Sequence, residues 1–424
     1  MKGIYWFRND LRLNDNLSLN FALEALDEVL FVYIHDIENE KNCSWDFKKI
    51  SEHRMLFLSQ GLQDLKKELN KFGHSLNEYM DDSVKILDIL LKKYQINSIF
   101  CESNLAVDEN KKVKALKDMN INVNQMWQSS LYTQKQLPFS LEELPNTFSV
   151  FRKAIESNEI KPNKPIKLTK KIFNVKPITD NQSFLLKVDS KNYKKSSFPI
   201  SNKKFRGGEK TGISHLIDYF QSEKPKIYKE TRNDLMGENF STKFSPWLAM
   251  GYISARQIFF YLENYEDKVT KNESTYWIFF ELLWRDYFRF SMIKNKEEIS
   301  YITDLNSPQK NINHDNKKFR LWTEGKTDNK FVNAGMIELK QTGFLSNRMR
   351  QIVASYLINE LDCDWRAGAA WFEFQLIDYD VYSNLGNWLY IAGFGADPRG
   401  GRHFNIEKQK KIYDPDSTYQ EFWN

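Results

Sequence analysis

Cysteine is scarce. Cys43, Cys101 and Cys363 stand far apart in 424 residues, with no CxxC pair among them. That excludes a disulfide framework and a zinc site and points to a reducing compartment. The six histidines are scattered, with no two at ligand spacing, so no metal site is expected. No apolar run approaches the roughly 18 residues of a membrane span. The opening MKGIYWFRNDLRL reaches Arg8 too soon for the apolar core of a signal peptide. There is no internal repeat.

What is abundant is aromatic. Phe, Trp and Tyr make up 15% of the chain, including 11 Trp and 31 Phe, within a hydrophobic fraction of 41%. Such a surplus fills a core and also suits stacking on flat ligands. The formal net charge of +5 weakly favours a polyanionic partner. The length points to two domains rather than one core.

Residues 1–130 alternate. Short β-rich runs at 3–7, 28–36, 97–102 and 121–127 are separated by helical patterns, notably 51–72 and 82–94. This predicts an α/β unit, a parallel sheet with flanking helices. Residues 131–205 read as an interdomain linker. Its stretch 161–204, rich in Lys, Pro, Asn and Ser, reads as a surface connection, either solvated or a nucleic-acid patch. From residue 206 to 424 helical periodicity dominates, at 211–222, 254–265, 274–293, 333–342, 346–360 and 366–376, which predicts an all-α domain.

Four segments carry chemistry. In STYWIFFELLWRDYFRF (274–290), Glu281, Trp284, Arg285 and Phe288 share one side of a helix, with Trp277 a turn earlier. A charged pair among so many rings needs partners, in a site or in a structural ion pair. In TGFLSNRMRQIVASYL (342–357), Gly343 and Ser346 mark a turn and a cap before Asn347, Arg350 and Gln351. Ser241, Thr242, Lys243 and Ser245 form a hydroxyl-and-cation cluster suited to a pyrophosphate or to a helix cap. The cluster lacks both GxxxxGK[ST] and GxGxxG, so neither a P-loop nor a Rossmann site is indicated. In LIDYDVYSNLGNWLY (376–390), Asp378, Asp380, Asn384, Asn387 and Trp388 sit within apolar surroundings, lining a ligand cavity or forming a polar core network.

The chain closely resembles the photolyase/cryptochrome flavoproteins, and within them the DASH cryptochromes. The resemblance rests on WFRNDLRLNDN (6–16), FRGGE (205–209), YKETRN (228–233), KFSPWLA (243–249), ELLWRDYF (281–288), TGFLSNRMRQ (342–351), LIDYDVYSNLGNW (376–388) and GADPR to 399. It implies FAD in the helical domain, held by Tyr228, Ser241, Thr242, Lys243, Phe244 and Ser245 at its phosphates and ribityl chain. Glu281, Arg285, Asn347 and Arg350 would line the cavity. Asp378 and Asp380 would lie on the flavin side, with Asn384 facing flavin N5. It implies that Trp284 stacks on a cyclobutane pyrimidine dimer while Glu281 and Asn347 bond its base edges. Gln351 and Tyr390 match the DASH pattern of a looser pocket that prefers single-stranded DNA. Trp388 and Trp365 would relay electrons. The distal relay position falls on Ile312, so the route is interrupted or leaves through another ring such as Trp322. Glu109 marks the expected region of a 5,10-methenyltetrahydrofolate antenna.

The resemblance therefore implies a blue-light-driven, FAD-dependent deoxyribodipyrimidine photolyase acting on dimers in single-stranded DNA. The competing readings are a blue-light photoreceptor with little repair activity and a light-independent flavoprotein. A monomer is expected, cytoplasmic or, in a bacterium, nucleoid-associated. No signalling tail is expected past Asn424.

Overall fold

The computed structural model describes residues 1–104, 107–180, 193, 195–303, 313–395 and 400–424, with 107–109 by backbone alone. Strands β1 (Lys2–Phe7), β2 (Glu28–Asp36), β3 (Leu76–Asp81), β4 (Ser98–Glu102) and β5 (Asn122–Met126) form a parallel sheet in the order β3-β2-β1-β4-β5. A two-residue strand, β6 (Lys176–Pro177), pairs beside the start of β2. Ile4, Tyr5, Phe7, Leu30 and Val32 are buried. Burial on both faces explains why these strands read as apolar runs rather than alternations. β3 has the sequence LNEYMD, whose polar residues hid it from the hydrophobic pattern.

Helices α1 (Leu17–Ala25), α2 (Glu52–Asn70), α3 (Ser83–Tyr94) and α4 (Val107–Asp118) cross between strands. Their starts are written locally: Asn16, Ser51 and Asp82 each accept a backbone N–H of the first turn.

The segment 131–205 is not the plain surface connection its composition suggests. It contains a helix, α5 (Phe148–Ser157), whose Phe148, Phe151 and Ile155 are buried. Ile172, Val175, Tyr193, Phe198 and Ile200 also enter the main core. Scattered single apolar residues between lysines give no periodicity, yet each fills a gap between the two halves.

The helical half comprises α6 (Glu209–Phe220), the short α7 (Tyr228–Thr231) and α8 (Ser245–Ala249), α9 (Ala255–Lys268), α10 (Glu273–Lys294), α11 (Lys296–Thr303), α12 (Asn316–Glu324), α13 (Lys330–Thr342), α14 (Asn347–Asn359), α15 (Trp365–Gln375), α16 (Val381–Ala392), α17 (Ile406–Tyr413) and α18 (Thr418–Trp423). Helix α16 was not read as such in the sequence, although its Asp380 cap accepts from Ser383 N at 2.8 Å.

Buried polar contacts lock the halves together. Asp15 pairs with Arg256 at 3.1 Å, and Arg12 donates to Gly251 O at 2.8 Å. Asp286 of α10 accepts Leu131 N and Tyr132 N at 2.9 and 2.8 Å. At the crossing of the two backbones, Gly251 has φ +68, and a Cβ there would lie 1.8 Å from Asn9 O. Only glycine fits, because backbone cannot yield as a side-chain tip can. Gly251→Ala is expected to lower unfolding free energy by about 3 kcal/mol or more. A denaturant midpoint equal to wild type would contradict this.

Candidate functional site

The candidate site begins where α15 ends. Between Gln375 and Val381 the chain makes an irregular connection that carries two carboxylates. Asp378 accepts Ser245 Oγ at 2.7 Å and Arg350 Nη2, from α14, at 2.8 Å. Asp380 caps α16 and pairs with Arg289 of α10. Burial pushes the Asp380 carboxyl up, but Arg289 and Arg285 outweigh it and leave it below its ordinary value.

Helix α16 then runs along a cavity. Asn347, Arg350, Gln351, Asp378, Asp380, Asn384 and Trp388 line it together. Asn384 donates to Ala369 O at 3.0 Å, which fixes the amide's orientation. Tyr379, Asp380 and Asn384 also border a larger cleft of about 1040 Å³, roomy enough for a cofactor-sized ligand. That cleft lies beyond the carboxyl ends of β1, β2 and β4, at Asn9, Glu38 and Ser103, where the strand order reverses. Open parallel sheets bind ligands at such a switch point. At its wall, burial and Asp10 raise the Glu102 carboxyl to about 7 against the pull of Arg12 and Arg8.

The loop before α8 has an unusual backbone. Ser241 and Lys243 both take left-handed conformations, at φ 53 and φ 59. His215 holds Thr242 O at 2.9 Å and stacks on Trp247. Lys243 is 3% exposed, lies 3.1 Å from the centre of the Phe240 ring, and its Nζ has no hydrogen-bond partner among the described residues. Burial holds its ammonium well below its usual pKa, with Glu338 pulling the other way. A buried, unpaired cation at a left-handed turn is a poor structural device and a good anion site.

On α10, Glu281 pairs with Arg232, whose guanidinium also lies 4.7 Å over the Trp277 ring. Burial raises the Glu281 carboxyl despite Arg232. Trp284 stacks on Phe148 with ring centres 3.7 Å apart and planes at 14°, and meets Tyr390 edge-on at 6.0 Å. Tyr390 OH accepts from Arg402, and Gln351 Oε1 accepts from Arg348 at 3.0 Å. Arg348 also reaches Asn233 at 3.2 Å.

The region 277–423 matches the family model described as the FAD binding domain of DNA photolyase, and 3–167 matches that of DNA photolyase. Cryptochrome DASH of Idiomarina loihiensis is 38% identical, over 99% of this chain and 92% of that protein. The solved Synechocystis cryptochrome superposes with TM-score 0.90 at 37% identity, over 100% of this chain and 88% of that one. A class III photolyase of Agrobacterium tumefaciens superposes at 0.81 with 26% identity, over 100% and 86%. The chain belongs to the photolyase/cryptochrome flavoproteins, in their DASH branch.

An FAD-binding domain in this branch needs an anion cradle, and the partnerless Lys243 Nζ beside Ser241, Thr242 and Ser245 fits one. Asp378 Oδ1 is likewise buried without a partner among the described residues, so the cavity retains an acceptor for a ring N–H or hydroxyl. The DASH resemblance put Arg285 at this cavity. Instead its guanidinium donates to Ser129 O, and the residue lines the larger cleft. Burial and Arg289 lower its pKa to about 10. Tyr228 is buried at the start of α7. Trp365 borders the larger cleft, whereas Trp322 is fully buried. Glu109 lies on the first turn of α4 with its side chain outside the description, and Ile312 and 396–399 lie outside the described residues.

Sequence reasoning missed Phe148, Arg232, Arg348 and Arg402. Phe148, Phe151 and Ile155 recur at helical spacing in TFSVFRKAIE, which was a readable signal. The arginines sit in quoted motifs, but nothing local says which ring or amide each one meets.

One buried carboxylate controls the loop's electrostatics. Burial raises Glu338 to about 8, while the Tyr419 hydroxyl and Lys243 pull it down. Its folded pKa thus exceeds the unfolded value of about 4.3. The native state binds the extra proton between these values, so stability falls as pH rises through that window, by up to about 1.4 kcal/mol per pH unit. Glu338→Gln is expected to flatten that slope in urea unfolding measured from acid to mildly alkaline pH. An identical slope in the variant would refute the assignment.

Proposed function

We propose that this DASH protein repairs cyclobutane pyrimidine dimers with blue light, preferring single-stranded DNA. The observation that carries this reading is the wall formed by Trp284 and Tyr390, with Asn347 and Gln351 near it on α14. Phe148 covers one face of Trp284, so a single face is left for a base. The exposed Asn347 amide and the half-buried Glu281 carboxyl are the groups we assign to base edges. Burial keeps a proton on Glu281 to higher pH than usual, which suits a donor to a pyrimidine carbonyl.

Ser241, Thr242, Lys243 and Ser245 would hold the FAD phosphates, with Tyr228 and Phe244 closing the loop behind them. Arg350, Asp378, Asp380 and Asn384 would orient the ring system. When bound in reduced form, the flavin supplies a photoexcited electron to the lesion and takes it back, so the protein contributes binding, orientation and exclusion of water. No side chain need act as acid, base or nucleophile. Asn384, tied to Ala369 O, would keep a neutral amide against the flavin edge.

A lesion must leave its stack to enter such a pocket, at a cost of a few kcal/mol in a duplex and less in a single strand. Gln351 and Tyr390 are modest in apolar area and already bonded to Arg348 and Arg402, so they offer little to offset duplex unstacking. The same engagement favours the second reading, a blue-light photoreceptor that binds nucleic acid without turnover. We assign the larger cleft, with Lys111 and Lys112 at its rim and Glu109 nearby on α4, to a 5,10-methenyltetrahydrofolate antenna.

The deciding assay illuminates FAD-loaded, chemically reduced protein with dimer-bearing oligothymidylate and measures dimer loss. Turnover on single strands, slower on duplex, is expected. Light-dependent binding without any dimer loss would sink repair and leave the photoreceptor. Trp284→Ala is expected to weaken lesion binding by about 1–3 kcal/mol, the worth of one base–aromatic stack, with FAD content unchanged. Undiminished affinity would remove the stacking role. DNA affinity should also fall as salt rises, because phosphate contacts release counterions. A flat titration would argue against a basic groove.

A further inference from the structure

A continuous run of rings joins the cofactor cavity to the larger cleft. Trp388 and Phe372 both line the cavity and meet edge-on, with centres 5.2 Å apart. Phe372 lies nearly parallel to Trp322, at 6.3 Å and 13°. Trp322 stacks on Phe319 at 5.9 Å, and Phe319 meets Trp45 at 6.3 Å. Trp45 is half-buried and lines the larger cleft. We propose that this run is an electron route and that Trp45 is its terminal redox residue. The inference rests on flavin in the cavity and not on repair.

Indoles are oxidised far more readily than phenyl rings. An electron vacancy therefore rests on Trp388, Trp322 and Trp45, and the two phenylalanines only bridge. Trp322 cannot be the end of the route. It is 0% exposed, and its indole N–H is committed to Val353 O at 3.0 Å. A positive vacancy there would stay charged in apolar surroundings, which is costly, so it must move on or return.

Trp45 differs because its cleft admits water. Its neighbour His314, 4.8 Å away, accepts Asp364 N at 3.4 Å through Nδ1 and lies 3.1 Å from Asn316 Oδ1 through Nε2. Both ring nitrogens are engaged, so the proton's acceptor is water. The step balances as follows. Photoexcited oxidised flavin takes one electron from Trp388, and electrons from Trp322 and then Trp45 refill the vacancy behind it. Trp45 loses its indole proton to cleft water, which traps the vacancy as a neutral radical. A soluble thiol returns one electron and one proton, and two such oxidised thiols pair as a disulfide.

The test is flash photolysis of FAD-loaded protein with oxidised flavin and no DNA, so its outcome is independent of repair. Wild type is expected to form a long-lived neutral tryptophanyl radical. Trp45→Phe should shorten the charge-separated state by an order of magnitude and abolish the neutral signal, at unchanged FAD stoichiometry and visible spectrum. In wild type, illumination with a spin trap followed by peptide mapping should put the adduct on Trp45, which decides the matter even if the variant fails to fold. Wild-type lifetimes in Trp45→Phe would overturn the proposal. So would an adduct on Trp365, the other indole at this cleft, in place of Trp45.

Discussion

Two carboxylates on one short connection are held by arginines from two different helices. Arg350 of α14 takes Asp378, and Arg289 of α10 takes Asp380. Breaking either buried pair would strand a charge at a cost of several kcal/mol, so the connection has little freedom to move. Asp380 also caps α16, and the axis of that helix is therefore set by α10 as well as by its own sequence. Asn384, Trp388 and Tyr390 inherit their positions from this arrangement.

Helix α10 is the common support. Its Asp286 gathers the backbone of Leu131 and Tyr132, and burial raises that carboxyl to about 6 although two N–H groups and two arginines oppose it. Arg285 reaches Ser129 O, Trp284 leans on Phe148, and Glu281 holds Arg232. Successive turns of one helix thus face the sheet-bearing half, the larger cleft and the wall that carries Trp284. A shift of α10 would be felt by all of them at once, because packed interiors transmit displacement rather than absorb it.

The loop at Ser241 and Lys243 shows how local strain and long-range charge combine. Two left-handed non-glycine residues cost stability by themselves. They place a buried ammonium over the Phe240 ring with Glu338 near it, and Glu338 is in turn bonded by Tyr419 of α18 at 2.6 Å. The end of the chain is thereby coupled to the loop that fits phosphates, through one carboxylate.

Much of this was legible in the residues alone. The buried strands and amphipathic helices announced themselves by periodicity, since burial on two faces or on one stripe leaves a pattern in the chain. Ser346 as a cap and Gly343 as a left-handed stop were readable because both act on their own neighbours. The gathering of Asn347, Arg350, Asp378, Asp380 and Asn384 at one cavity followed from motif resemblance. Strand β3, the core role of Phe198 and Ile200, and helix α5 behind Trp284 escaped, because isolated apolar residues in polar stretches gain meaning only from what they touch. Which arginine meets which aspartate, why Arg285 turns away from the cavity, and how Trp322 connects to Trp45 were decided by tertiary structure. Sequence spacing fixes neighbours along a helix, but contacts between helices depend on how whole elements pack.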